Sequence, residues 1–193
     1  MAEGDMLWFG DHPSQGTVNL VGVREILDRV LGKGLSRQDM QDTPKRWAKM
    51  MHELTTPEEF EFTTFPTDHK TMVVVQDIDF ASLCAHHLIP FFGKAHIGYI
   101  PQDKLAGLSK LPRTVQKFMR QATTQEELTQ EICDYLELNL APMGVIVVMK
   151  AQHLCMSLRG AQQLNAFTTT SAITGVFRDN ENNARQEFLS LIS

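Results

Sequence analysis

The stretch Val73-Val74-Val75-Gln76-Asp77-Ile78-Asp79-Phe80 decides how this chain folds. Three β-branched residues are followed by Ile78 and Phe80 alternating with Asp77 and Asp79. That two-residue period puts apolar groups on one face of an extended chain and acids on the other, which a helix cannot do. Working outward, Phe91 to Ile100, closed by Pro101, reads as a second strand. Val145-Ile146-Val147-Val148-Met149 opens a long third strand, and Thr168 to Phe177 supplies a fourth. Between the second and third strands the period changes to that of a helix. Leu111, Val115, Phe118 and Met119 mark a helix over about 109–121, and Leu128, Ile132, Tyr135 and Leu136 another over about 124–139.

On the N-terminal side, Leu20, Val23, Leu27, Val30 and Leu31 recur at helical spacing and stop at Gly32-Lys33-Gly34. A second helix begins at Thr43-Pro44, with Thr43 as N-cap and Pro44 in the first turn, and runs to about Leu54. Residues 55–70, with Pro57 and Pro66, form a connector, and a last helix covers about 183–192. The expected layout is a loose tail over 1–17 and one domain over 18–193. That domain has a helical part over 18–56 and a core over 71–193. The element order predicts an α+β fold: an antiparallel four-stranded sheet with helices on one face and an N-terminal helical segment.

A length of 193 residues suits a single domain with a proper core, and 42% hydrophobic with 21% charged residues is ordinary globular composition. The net charge of −5, with no long basic run, argues against general nucleic-acid binding. No apolar run approaches the ~18 residues of a membrane span, and no basic-then-apolar leader is visible, so a cytoplasmic location is expected. In that compartment the three cysteines are expected to be metal ligands or buried thiols rather than disulfides.

Two clusters carry metal chemistry. Cys84-Ala85-His86-His87 and His153-Leu154-Cys155 supply thiolates and imidazoles, the ligands zinc prefers. Three ligands with one or two histidines left over is the inventory of a catalytic zinc with an open position for water. Cys84 and His87 are three apart, so one tight turn can aim both at the same ion. His86 and His87 are adjacent, so one ligates and the other stands beside the metal. If the third strand runs on past Leu154, His153, Cys155, Ser157 and Arg159 share a face, with Cys155 and Arg159 ~13 Å apart. Cys133, alone on an amphipathic helix, reads as a buried small apolar residue.

A second constellation is Gly107-Leu108-Ser109-Lys110-Leu111-Pro112-Arg113. Ser109 suits an N-cap, and the free N–H groups of that turn, with Lys110 and Arg113, make an anion site. Arg46 and Lys49 place further cations near the start of the second helix. Such charges oppose the helix dipole there and hint at a polyanion, though exposed helix-start charges are usually just solvated. Gln125-Glu126, after Thr123-Thr124, reads on its own as a capping box. A carboxylate beside an amide can also read the N1–H and amino edge of a guanine.

Together these motifs resemble those of the zinc-dependent type I GTP cyclohydrolases. The resemblance rests on CAHHLIPFFGKAHIGYIP from Cys84 to Pro101, GLSKLPR from Gly107 to Arg113, and Gln125 to Ile132. It rests also on His153-Leu154-Cys155-Met156 with Arg159-Gly160, and Thr168 to Ser171 followed by Gly175-Val176-Phe177. It covers roughly residues 20–193. It implies the tunnelling fold, with sheets joined into a barrel, two pentameric rings stacked into a decamer, and active sites between subunits. It further implies Cys84, His87 and Cys155 as ligands to Zn2+, His86 and His153 with Ser109 as catalytic groups, and Gln125 with Glu126 as the guanine reader. Lys110, Arg113, Arg159, Arg46 and Lys49 would face ribose and triphosphate. The implied reaction turns GTP and water into formate and 7,8-dihydroneopterin triphosphate, feeding folate, another pterin or 7-deazaguanine. One departure stands out: the family usually has Glu where this chain has Ala85, which removes a carboxylate beside the ligands.

Two other readings compete. A tunnelling-fold enzyme acting on another purine or pterin, such as a nitrile reductase with a cysteine nucleophile, would need no zinc. A non-catalytic, zinc-stabilised oligomer that binds purine nucleotides would need neither His86 nor His153.

Overall fold

The computed structural model describes residues 6–8, 17–179 and 183–193, with only the backbone at 33 and 34. They form two units, one within Met1–Thr56 and one within Pro57–Ser193.

In the first unit, β1 (Met6–Trp8), inside the segment expected to be a loose tail, pairs antiparallel with β2 (Thr17–Asn19). A three-residue strand is too short to leave a period in sequence; residues 1–5 and 9–16 lie outside those described. Helix α1 (Leu20–Leu31) starts where the Asn19 side chain accepts from the N–H groups of Val21 and Gly22 at 3.0 and 3.3 Å. It ends at Gly32, whose φ of +62° is cheap only for glycine. Helix α2 (Thr43–Thr55) begins one residue earlier than expected: Asp42 is the N-cap, without a side-chain capping bond, and Pro44 lies in the first turn.

The second unit is built on one sheet. Its elements are β3 (Thr64–Pro66), β4 (Val73–Cys84), β5 (Pro90–Ile100), β6 (Lys104–Ala106), α3 (Lys110–Met119) and β7 (Ala122–Thr123). They continue with α4 (Gln125–Leu140), β8 (Gly144–His153), α5 (Leu154–Ser157), β9 (Thr168–Ile173) and α6 (Ala184–Leu191). β3 and β6 make a small ladder of their own, and the main sheet has the order β7-β4-β5-β8-β9. The four expected strands are all present, each pairing antiparallel with the next of the four. The sheet nevertheless has five strands, because β7 adds a two-residue parallel bridge to the end of β4. Two residues carry no period.

The expectation of helices on one face is also corrected. α3 and α4 cover the face that presents Ile78, Phe80, Ala95, Ile97, Tyr99, Val145, Val147 and Met149. On the opposite face Ile146, with Val74, Val148 and Ile173 beside it, packs against Phe177 and against Ala184 and Phe188 of α6. Gly98 lets this happen: a Cβ there would sit 2.5 Å from a Phe188 ring carbon. The near-continuous apolar run of β8 is the sequence signature of a strand covered on both sides.

Two strand ends differ from expectation. β9 stops at Ile173, and Gly175 at φ +50° turns the chain into a 3-10 turn over Gly175–Arg178. β8 stops at His153 and passes directly into the helical turn α5, so residues 153–159 do not continue an extended face.

β4 carries a bulge. Val75 and Ile78 are three positions apart, while their partners Ile97 and Ala95 are two apart. Asp77 takes up the extra residue with φ +58°, a region Asp tolerates better than most side chains. Its N–H donates to His96 Nδ1 at 3.2 Å, and the Lys94 ammonium bridges to Asp79 at 2.8 Å. The bulge keeps Val73 and Val75 on the same core face as Ile78 and Phe80.

Candidate active site

One end of the sheet brings three distant segments together. Antiparallel pairing of Leu83 with Pro90 and of Phe91 with His153 sets the β4–β5 turn beside the end of β8. The parallel pairing of Cys84 with Thr123 brings the start of α4 to the same edge. Within the turn, the N–H groups of His87 and Leu88 both donate to the Cys84 carbonyl, at 3.2 and 2.8 Å. Leu88 adopts φ +53° to close it. The turn therefore folds His87 back over Cys84.

Cys84, His87 and Cys155 offer ligand atoms that all lie within 4.8 Å of one another. His86 Nδ1 is 3.8 Å from the Cys84 sulfur, about as near as His87 Nδ1 at 3.7 Å, but only His87 completes a group with both sulfurs. The geometry thus groups with the two sulfurs the histidine whose three-residue spacing from Cys84 suited a shared ion. Burial and the neighbouring Cys84 sulfur push the Cys155 thiol above its ordinary range. Two sulfurs held this close disfavour a thiolate unless a cation stands between them, so the donor set fits a thiolate- and imidazole-preferring metal. Cys133 is fully buried, and its thiol is pushed up to about 12 by burial and nearby Asp134 and Glu137.

His153 stands next to this cluster, with its ring stacked on Phe91 at 4.7 Å between centroids and 3° between planes. Its Nε2 lies 2.7 Å from Gln125 Oε1. Burial holds its pKa below 6.5, and the Glu126 carboxylate opposes that shift. Gln125 is 1% exposed. Its Nε2 faces the Met149 carbonyl at 3.1 Å, the Thr168 carbonyl at 3.2 Å and the Thr170 hydroxyl at 3.0 Å. Glu126, next along the helix, is exposed. The N-cap of α4 is Thr124, which accepts from the Glu127 N–H. Cys84, His86, His87, Phe91, Gln125, Glu126, His153 and Cys155, with Thr123 and Thr124, line one cavity of about 180 Å³. The Cys84/His87/Cys155 group, His153 and the exposed Glu126 carboxylate open on one space.

Residues 21–193 match the protein-family model for GTP cyclohydrolase I. The chain belongs to the GTP cyclohydrolase I family. Among curated family members it is 49% identical to GTP cyclohydrolase 1 of Sulfurihydrogenibium sp. over 165 residues, 84% of this chain and 88% of that one. It is 48% identical to GTP cyclohydrolase 1 of Porphyromonas gingivalis over 169 residues, 84% and 86% of the two chains. To GTP cyclohydrolase 1 of Aquifex aeolicus it is 47% identical over 164 residues, 84% and 89%.

The site residues expected from the sequence divide into two sets. Cys84, His86, His87, Gln125, Glu126, His153 and Cys155 meet in the cavity. Ser109, Lys110, Arg113 and Arg159 do not line it. Arg113 opens instead on a separate hollow of about 250 Å³ with Glu58, Glu59, Phe60, Gln116 and Lys117. Ser109 has helical φ and ψ and makes no side-chain capping bond; the α3 start is closed by the Lys110 N–H on the Gly107 carbonyl at 2.7 Å. Lys110 lies 5.9 Å from the centre of the Phe60 ring. Arg159 is exposed beyond α5, and a helical turn rises about 1.5 Å per residue instead of the 3.3 Å expected. Arg46 and Lys49, on α2, pair with Asp42 at 3.7 Å and Glu53 at 3.8 Å.

Sequence reasoning passed over Phe91, Thr129 and Thr170 as individual site residues. Phe91 reads as an ordinary strand apolar residue. Thr129 and Thr170 left a faint signal: hydroxyls on the buried side of α4 and of β9, positions an apolar residue would ordinarily fill.

Proposed function

We propose that this chain is a zinc-dependent GTP cyclohydrolase, converting GTP and water to formate and 7,8-dihydroneopterin triphosphate. The observation that carries the reading is the Cys84/His87/Cys155 group opening on the same cavity as His153 and Glu126. Cys84, His87 and Cys155 would hold the ion. When bound, zinc supplies the Lewis acidity that makes a water nucleophilic near neutral pH.

The chain's own groups do the rest. Glu126, free of the helix cap, accepts from the guanine N1–H and exocyclic amino group and turns C8 toward the metal side. His153 delivers a proton to N7 as the C8–N bond of the imidazole ring is cleaved to a formamide, which a second hydrolysis releases as formate. His86, beside the ligands without completing their group, serves the later ribose opening and rearrangement together with Ser109.

Lys110, Arg113 and Arg159, with Arg46 and Lys49, bind the triphosphate and ribose. Lys110 and Arg113 lie outside the metal cavity of their own chain, which supports a site finished by a neighbouring subunit. A tunnelling-fold decamer of two pentameric rings supplies such neighbours. The product serves folate, other pterin or 7-deazaguanine synthesis in the cytoplasm. No described helix is long and apolar enough to cross a membrane.

The test is direct. Purified, zinc-loaded protein incubated with GTP should release formate and, after oxidation, a fluorescent pterin. Stoichiometric nucleotide binding without formate would leave a binding protein and end the enzyme reading.

A further inference from the structure

Gln125 was read from sequence as half of a guanine reader, yet its side-chain amide is turned inward and fully engaged. The hydrogen-bond directions around it can be followed atom by atom. The Thr129 hydroxyl donates to the Gln125 carbonyl at 2.6 Å. Its own oxygen, 2.6 Å from the Thr170 hydroxyl, is therefore the acceptor of that pair. Thr170 having donated its hydrogen, its oxygen is free to accept from Gln125 Nε2 at 3.0 Å. The other two groups around Nε2, the Met149 and Thr168 carbonyls, can only accept. Turning the amide over would set Oε1 against two carbonyl oxygens in a buried site, so Oε1 must face His153. An amide oxygen only accepts, and His153 Nε2, at 2.7 Å, must carry a hydrogen.

We infer that Gln125 is a positioning residue that fixes His153 as its Nε2–H tautomer, leaving Nδ1 as the nitrogen that takes up and delivers the catalytic proton. The Phe91 ring, parallel to the imidazole, fixes the ring plane in which Nδ1 lies. The threonine pair behind the amide, bridging α4 to β9, is the far end of the same device. Glu126 is left to read the base alone. This deepens the proposed function and rests on His153 being the group that protonates N7. The selection of a tautomer by a hydrogen bond to the opposite nitrogen is a general way of setting an imidazole's chemistry.

The experiment has two arms. In zinc-loaded wild-type protein labelled with 15N at histidine, solid-state NMR should show His153 with a protonated Nε2 and an unprotonated Nδ1 when neutral. His153→Asn identifies the signals. The reverse tautomer overturns the inference without any variant having to fold. In the kinetic arm, Gln125→Met should keep its zinc and lose about 10- to 100-fold in kcat. Its KM for GTP should stay within about threefold, and the His153 signals should report a mixture of tautomers. A raised KM with unchanged kcat would overturn the inference and return Gln125 to substrate binding. If wild-type protein turns over no GTP, the reaction assignment falls, while the NMR arm alone still upholds or overturns the tautomer.

Discussion

Thr124 and Glu127 close the first turn of α4 on each other. The Thr124 hydroxyl accepts from the Glu127 N–H at 3.2 Å, and the Glu127 carboxylate returns to within 3.3 Å of the same hydroxyl. The capping function that sequence offered to Glu126 thus belongs to its neighbour. Glu126→Gln should leave thermal stability unchanged and weaken GTP use by ~1–3 kcal/mol in kcat/KM, because an amide presents a donor where the base needs an acceptor. Glu127→Gln should do the opposite, lowering stability by up to about 1 kcal/mol and sparing kcat/KM. Steady-state kinetics and thermal melts on the pair decide; equal effects on both would contradict the division of labour.

Metal content separates the three cysteines. Cys84→Ala and Cys155→Ala should lose zinc and formate release together, since each removes one of the three side chains proposed to hold the ion. Cys133→Ala should keep both, because that thiol is buried in the core and held protonated by its surroundings. Elemental analysis beside a formate assay reads the outcome.

The two histidines outside the metal group should fail at different steps. His153→Ala should retain zinc and bind GTP yet stop before formate is released. His86→Ala should open the purine ring and accumulate the formamide. Mass spectrometry of quenched reactions distinguishes them, and loss of zinc in His86→Ala would exchange the roles of His86 and His87.

His96 gives the stability a pH dependence of known sign. Burial holds its pKa below 6.5, and Lys94 and Lys150 push the same way against Asp77. The native ring stays neutral, accepting from the Asp77 N–H, while the unfolded chain takes up a proton. Stability should therefore be fully present above about pH 6.5 and fall as pH drops toward the lower native value. His96→Gln, which can still accept that N–H, should flatten the acid side of the melting profile. His153, shifted in the same direction, contributes equally to both proteins.

Gly98→Ala should cost about 1–3 kcal/mol by pushing a methyl into the Phe188 ring and displacing α6. Catalytic efficiency per folded molecule should be unchanged, since α6 packs on the sheet face away from α4.

Much of this was legible beforehand because the long elements carry strong periods. The alternation around Ile78 and Phe80, the stripes of α3 and α4 and the run in β8 are set by burial, and burial is written in residue type. What was not legible depends on a single backbone angle or a partner far away in sequence. The helical turn after His153 carries no warning in His153-Leu154-Cys155, and the end of β9 hangs on Gly175. The two-residue β7 is paired only because β4 ends beside it. The site was legible as a set of residue types, since thiolates and imidazoles have few other uses together. Its internal order was not. That Gln125 turns its amide oxygen to His153 follows from a hydroxyl more than forty residues away, that of Thr170 on β9.

The bulge at Asp77 changes which alterations of the chain are conservative. Along a regular strand, losing one residue inverts every side chain on one side of the cut, burying acids and exposing the core. In β4 that inversion would set Val73 and Val75, or Cys84 at the other end, facing the wrong way. Between Val75 and Ile78 the strand already holds one residue too many for its partner. Removing Gln76 there would restore plain alternation and leave both ends facing as they do now. The point that looks most irregular in the sheet is therefore the one where this chain can lose a residue while keeping Cys84, at the tip of the strand, on target.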